Sequence, residues 1–228
     1  MIGIIGAMEI EIAKIKESLS DIEIKKISNI EFVSGKMYGK DVVCACSGIG
    51  KVFAAICAEA MILTYNPEII INTGVAGGLL EDLKIADIVI SKNAVQHDMD
   101  TSPLGDPKGL LSGINIVYIP IDEEAMTIMK KCVDDSKIGS VIGTIVSGDQ
   151  FIESKEKKLQ LKNDFNAVAC EMEGASIAHV CYVNNVKCCI IRSISDGFSD
   201  EHISYEQFCS IAAENSVKVT KKFIEKYQ

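Results

Sequence analysis

The sequence predicts an α/β fold, a three-layer sandwich with a mixed central β-sheet flanked by helices. Three observations carry that prediction. Short β-branched runs alternate with longer stretches of helical apolar spacing from one end of the chain to the other, the pattern of strands and helices packed in layers. No internal repeat, low-complexity tract or linker interrupts the 228 residues, so residues 1–228 read as a single domain, long enough to bury a core without disulfides or metals. A hairpin-like pair around Lys36 to Lys40 adds antiparallel strands to the sheet.

Taken in order, strands are expected at 2–6, 30–35, 41–47, 68–73, 85–91, 115–119, 138–147, 167–171 and 188–195, and helices at 8–19, 51–65, 122–135, 155–163, 173–184 and 204–226. The first strand is the apolar run IGIIG, and the helix after it carries the stripe Met8, Ile12, Ile15 and Leu19. The ninth strand, CCIIRSIS, is strongly apolar around Arg192. The last helix has the plainest signature: Ser204 and Gln207 form a capping box, and Phe208, Ile211, Ala212, Val219 and Phe223 recur at helical spacing. One long irregular stretch, 96–113, holds two prolines and three glycines. Loops of that length inside compact domains are commonly functional.

Composition narrows the partners. Hydrophobic residues make up 48% and charged residues 24%, an ordinary globular balance. The formal net charge is −9 and the basic residues are dispersed, which suits neither nucleic acid nor an anionic membrane. Among 23 Lys plus Arg only Arg192 is an arginine, whereas a site gripping free phosphate would be expected to use several. The nine cysteines sit mostly in apolar runs without a CxxC pair, and read as reduced thiols of a cytoplasmic protein. The start MIGIIGAME has no basic leader, and no apolar run reaches the ~18 residues that cross a bilayer. The three histidines lack metal-ligand spacing, so no metal is expected.

Ligands in open α/β sheets collect beyond the carboxyl ends of strands, and three acid-bearing stretches lie there: IIGAMEIE, VACEMEGAS and IIRSISDG. In the first, Glu9 and Glu11 flank the apolar stripe on opposite sides, so periodicity does not choose between them, and acids favour helix amino termini in any case. In the second, Glu173 heads the inward face of Ile177, Val180 and Cys181. Its carboxylate needs a partner, either ligand hydroxyls or a buried cation such as Arg192 or a lysine. Alternation points Glu171 and Met172 in opposite directions. In the third, Asp196 before Gly197 reads either as a turn residue or as an acid over a site, and Arg192 calls for an anion, with two glutamates as candidates. The glycine-rich stretches 47–51, 72–78 and 147–151 match neither the phosphate-loop nor the dinucleotide pattern. They are read as tight turns or as places where backbone approaches a ligand closely.

Six motifs, GIIGAMEIE, SGIGK, INTGVAGG, IVSGDQFI, EMEGASIAHV and RSISD, in that order and separation, resemble those of the 5′-methylthioadenosine/S-adenosylhomocysteine nucleosidases, from Gly3 to about Phe208. The resemblance implies a nucleoside phosphorylase/hydrolase-like fold, a homodimer and no cofactor. It implies cleavage of the N-glycosidic bond of 5′-methylthioadenosine, S-adenosylhomocysteine and 5′-deoxyadenosine, releasing adenine and the 5-substituted ribose. By the same resemblance Asp196 protonates the imidazole ring of adenine, Glu11 deprotonates the attacking water with Arg192 near it, and Glu173 accepts hydrogen bonds from the ribose hydroxyls. Met172 would pack on the sugar, the backbone at Phe151 and Ile152 would read the adenine edge with the Phe151 ring stacked on it, and Met8, Ile49 and Tyr205 would line the thioether end. Ala76, Gly77 and Ser195, inside the shared motifs, join the substrate-binding set. Leu104 in the long loop would cover the neighbouring subunit's pocket. Val75 departs from a serine found in several members, and Leu104 and Tyr205 replace phenylalanines.

The reaction requires these residue types. Departure of adenine leaves positive charge on the sugar, which carboxylates near the ribose stabilise while an acid neutralises the leaving base. Three other readings are weighed against this one: an aminodeoxyfutalosine nucleosidase of menaquinone synthesis, a purine nucleoside phosphorylase, which would need a cationic phosphate cradle, and a purine-binding sensor, which would lack one of the acids.

Overall fold

A computed structural model describes residues 1–198 and 205–227, with side chains for all of these except 205–208. Among the described residues, ten strands form one mixed sheet. Near its middle lies β1 (Ile2–Gly6), buried at every position and parallel to β4 (Lys40–Cys46) on one side and β5 (Ile69–Gly78) on the other. β4 continues outward through β3 (Ile30–Met37) to β2 (Ser20–Ile27) in antiparallel steps. Two-residue turns join them, Ser28 and Asn29 at φ 50° and 63°, then Tyr38 and Gly39 at 51° and 76°. Such left-handed pairs match the strand twist of tight hairpins.

β2 corrects the expected element list, which has no strand there. Its residues up to Lys26 face solvent, Ile22 and Ile24 included, and only Ile27 packs partly against the core, so no buried face marks the run, and β3 is its partner.

On the other side, β5 pairs with β10 (Lys187–Asp196), which leads through β6 (Ile88–Gln96), β8 (Ser140–Ser147) and β9 (Ala167–Glu171) back to Gly77 and Gly78 of β5. Five strands therefore close into a ring at one side of the sheet. β5 and β9 meet antiparallel, Gly77 opposite Cys170, so their carboxyl ends converge. Both β5 and β6 run past the expected ends at 73 and 91. The strand expected at 115–119 shrinks to β7 (Ile119–Pro120), paired with β6; Pro120 has no N–H to extend the ladder. The stretch 96–113 holds a short 3-10 turn at Ser102–Leu104, and its Asp98 is tied to Lys51 at 2.6 Å.

Helices α2 (Lys51–Tyr65) and α5 (Gly174–Val183) cover one face, and α1 (Glu9–Lys16), α3 (Glu123–Asp134) and α6 (Tyr205–Lys226) cover the other. Strand alternation sorts the side chains between them. Ile5, Ile70 and Ile190 pack with Met61 and Ile177, whereas Ile4, Ile69, Ile71 and Ile191 pack with Ile12, Met129 and Phe223. Each such isoleucine stabilises the fold by about 1.5–3 kcal/mol. α4 (Lys155–Phe165) packs beside β8 and β9. Along α6, Ala212, Val219 and Phe223 are buried as expected but Ile211 is half exposed; Val217 and Ile224 complete the inward face instead. Ser204 of the expected capping pair and the side chains of Gln207 and Phe208 lie outside what is described. No helix among the described residues is long and apolar enough to cross a membrane.

Candidate active site

The carboxyl ends of several strands open onto one cavity of about 210 Å³. Ala7, Met8 and Glu11 reach it from β1 and α1, Val75, Ala76 and Gly77 from β5, and Cys170, Glu171, Met172 and Glu173 from the junction of β9 and α5. Ser195 and Asp196 close β10, Ile49 follows β4, and Gln150, Phe151 and Ile152 follow β8. Glu11, Glu173 and Asp196, far apart in the chain, line this single space.

Glu11 lies in the first turn of α1, and its side chain folds back over the helix start. Its Oε2 accepts from the N–H groups of Ala7 at 2.7 Å and Met8 at 2.9 Å, and its Oε1 accepts from Val75 N–H at 3.1 Å. Glu9, the alternative that periodicity left open, is exposed and paired with Lys16 at 3.0 Å. Burial raises the pKa of Glu11, against the pull of the Arg192 charge and the three backbone donors. The glycines of INTGVAGG admit these carboxylates: a Cβ on Gly74 would stand 2.4 Å from Glu11 Oε1, and one on Gly77 2.9 Å from Asp196 Oδ2. Gly74 N–H is also held by Ser216 Oγ of α6 at 3.2 Å.

Glu171 and Glu173 part company at the end of β9. Glu171 accepts from Arg192 Nη2, from Ser147 Oγ, and from the N–H groups of Glu173 at 3.0 Å and Gly174 at 2.8 Å. Burial alone would raise its pKa, but the Arg192 guanidinium and these hydrogen bonds hold it below the usual carboxylate range. Arg192 further donates to the Asn72 backbone oxygen at 3.2 Å and to Asn72 Oδ1. Its guanidinium is thus paired with Glu171 and Asn72 behind the cavity wall, where its charge still acts on Glu11 without lining the cavity itself.

Glu173 caps α5 and turns to the cavity, its Oε1 accepting from Gly50 N–H at 2.9 Å. Burial first, then the adjacent Glu171 charge, push its carboxyl up to about 8. Gly50 sits at φ 100°, a conformation that favours glycine, and opens α2 with its N–H aimed at that carboxylate. The next N–H, of Lys51, donates to Asp149 Oδ1 at 2.7 Å, which fixes the turns after β4 and β8 to one another.

Asp196 Oδ2 accepts from Lys158 Nζ at 2.8 Å, and its Oδ1 from Ser195 Oγ at 3.0 Å. Lys158 and Glu171 are the site residues that sequence reasoning missed. Lys158 shares the buried face of α4 with Leu161 and Phe165, so a lysine at i, i+3, i+7 spacing with two core residues was the available signal. Cys170 also lines the cavity; burial and then Asp196 push its thiol up to about 12, so it is no thiolate nucleophile. Met8, Ile49, Ala76, Gly77, Phe151, Ile152, Met172 and Ser195 all line the space. Leu104 does not, and is 83% exposed. The Tyr205 side chain lies outside the described residues. No group of three or more His, Cys, Asp or Glu among the described residues could hold a metal ion.

A half-open, mainly apolar cleft ringed by acids fits a small uncharged ligand rich in hydroxyl and ring N–H donors. The chain belongs to the phosphorylase superfamily, whose model matches residues 1–225. Within it, the chain belongs to the family of 5′-methylthioadenosine/S-adenosylhomocysteine nucleosidases. The nucleosidase of that name from Staphylococcus haemolyticus is 38% identical over 99% of both chains. An aminodeoxyfutalosine nucleosidase of Helicobacter pylori is 38% identical over 98% of this chain and 97% of its own. The 5′-methylthioadenosine/S-adenosylhomocysteine nucleosidase of Neisseria meningitidis, solved in complex with methylthio-immucillin-A, superposes with a TM-score of 0.93 at 32% identity, over 98% of each chain.

Proposed function

We propose that this chain hydrolyses the N-glycosidic bond of 5′-methylthioadenosine, S-adenosylhomocysteine and 5′-deoxyadenosine, releasing adenine and the 5-substituted ribose. The observation that carries the reading is the meeting of Glu11, Glu173 and Asp196 around one cavity. Asp196 gives a proton to the imidazole-ring nitrogen of adenine, so the base departs neutral as the C–N bond breaks and positive charge spreads over the sugar ring. A water beside Glu11 then bonds to the anomeric carbon, and its proton passes to the Glu11 carboxylate. The raised pKa of Glu11 suits that step, because a more basic carboxylate holds the proton better. Glu173 takes the ribose hydroxyls, Met172 the sugar face, and Phe151 the purine ring, with Met8 and Ile49 along the thioether tail. Ala76, Gly77 and Ser195 complete the wall.

Phosphorolysis, the reaction of the superfamily's phosphorylases, is disfavoured because the one arginine of the chain is occupied by Glu171 and Asn72. Incubation with 5′-methylthioadenosine in phosphate-free buffer should release free adenine; turnover that depends strictly on added phosphate contradicts the assignment. The relative from Helicobacter pylori supports a second reading, hydrolysis of aminodeoxyfutalosine, and turnover of the two nucleosides side by side decides between them.

The active form is read as a homodimer. α2 exposes Val52, Phe53, Ile56 and Leu63 beside Ile49, an unpartnered apolar face next to the cavity, and the exposed Leu104 would then reach the partner's pocket. Light scattering tests this. The eight cysteines from Cys44 to Cys189 are free thiols, in keeping with a cytoplasmic enzyme.

A further inference from the structure

Lys158 belongs to no part of the reaction outlined above, and its setting is unusual. It is 4% exposed on a helix face otherwise occupied by Leu161 and Phe165. Lysine is almost never buried to this degree without a specific anion. Its Nζ lies 2.8 Å from Asp196 Oδ2 and 2.7 Å from the Gly197 carbonyl oxygen, and it does not itself line the cavity. The ammonium therefore clasps the last residue of β10, which pairs with Gly77 of β5 after a shift of register, and the backbone just beyond it.

We infer that Lys158 is a positioning residue for Asp196, fixing its carboxyl at the cavity edge and stabilising the negative charge that it gains on giving up its proton. Two consequences follow from the geometry. With Oδ2 occupied by the ammonium, the transferable proton is carried on Oδ1, beside Ser195. As that proton moves to the departing base, charge builds on a carboxylate whose counter-ion is already in place, which lowers the barrier without reorganisation. Orientation matters as much, since a misplacement of about 1 Å in a reacting group can cost ~100-fold in rate.

The inference rests on Asp196 acting as the acid, and the test separates the two. Steady-state hydrolysis of 5′-methylthioadenosine is measured for the wild type, Lys158→Met, Lys158→Arg and Asp196→Asn, with thermal melts to establish folding. Lys158→Met should lower kcat by about 100-fold while KM stays within about threefold, and Lys158→Arg, which keeps the charge, should recover at least ~10-fold of that loss. Affinity for 5′-methylthioadenosine should be the same within about twofold in Asp196→Asn and in Asp196→Asn/Lys158→Met, since without an acid to position the lysine has no further part. A Lys158→Met enzyme with kcat near wild type, a loss confined to KM, failure of arginine to rescue, or weakened binding in the double variant would each overturn the inference. Full turnover by Asp196→Asn would instead overturn the proposed reaction. If Lys158→Met shows no cooperative melt, Lys158→Gln, which keeps a donor but not the charge, takes its place under the same criteria.

Discussion

Glu171 and Glu173 are separated by one residue and are both buried, yet they end in opposite states. Glu171 points to Arg192, Ser147 and the first N–H groups of α5 and is held ionised. Glu173 points to the cavity, receives Gly50 N–H, and is pushed up to about 8 by burial and by Glu171 itself. Both line the cavity, so the chemistry of an acid here is set by the partners its carboxylate finds and not by burial alone. Glu171 is closed into an ion pair with Arg192 that organises the cavity wall, whereas Glu173 has a single backbone donor and no paired cation among the described residues, which leaves it open to a ligand.

Glu11 shares the cavity side, and replacing it should show the largest effect. Glu11→Gln is expected to lower kcat for adenine release by about 10²–10⁴ with a near-normal melting temperature; a loss below ~10-fold would place Glu11 with the structural acids instead. By contrast, Glu171→Ala leaves the Arg192 guanidinium buried without its counter-ion, at a cost of about 3–5 kcal/mol and a melting point lower by roughly 10 °C. An unchanged melt would mean that the pair does not organise the fold.

The third test is the pH dependence of stability. The folded carboxyl of Glu173 titrates near 8, above its ordinary 4.5. Its contribution is therefore full below about pH 4.5 and is lost as pH rises through 8. Glu173→Gln should flatten the decline of melting temperature between those limits by a few degrees, read by differential scanning fluorimetry across the range. Parallel curves for variant and wild type would remove the contrast between the two glutamates. The smallest effect belongs to Leu104→Ala, whose side chain touches neither set: stability should hold within ~0.5 kcal/mol, while KM rises about threefold if a partner subunit's loop covers the pocket. Unaltered KM would confine the site to one chain.

Much of this was legible from residue order. Strand and helix alternation located the six α-helices of the described residues, and acids at the ends of β1, β9 and β10 pointed to the cavity. What escaped did so for physical reasons. β2 has no buried face, so its Ile22 and Ile24 gave no usable period. β5 continues through TGVAGG because glycine lets the two carboxylates close on its backbone, a tertiary cause invisible to local propensity. Glu11 and Glu9 look equivalent on a helical wheel; what separates them is that Glu11 gathers the N–H groups of Ala7, Met8 and, from β5, Val75, whereas Glu9 pairs with Lys16 at the surface. Arg192 announced that it needed an anion, but which glutamate supplied it depended on the pairing of β8 with β9.

The closed ring of strands leaves few borders at which foreign backbone could add. The long outer rim of the sheet is β2, and there the chain carries Glu23, Lys25 and Lys26 in succession with exposed Ile22 and Ile24. Charges of both signs along such a rim discourage a second copy from docking strand to strand, so this stretch guards solubility, while β5, β6, β8, β9 and β10 already hold a neighbour on both edges.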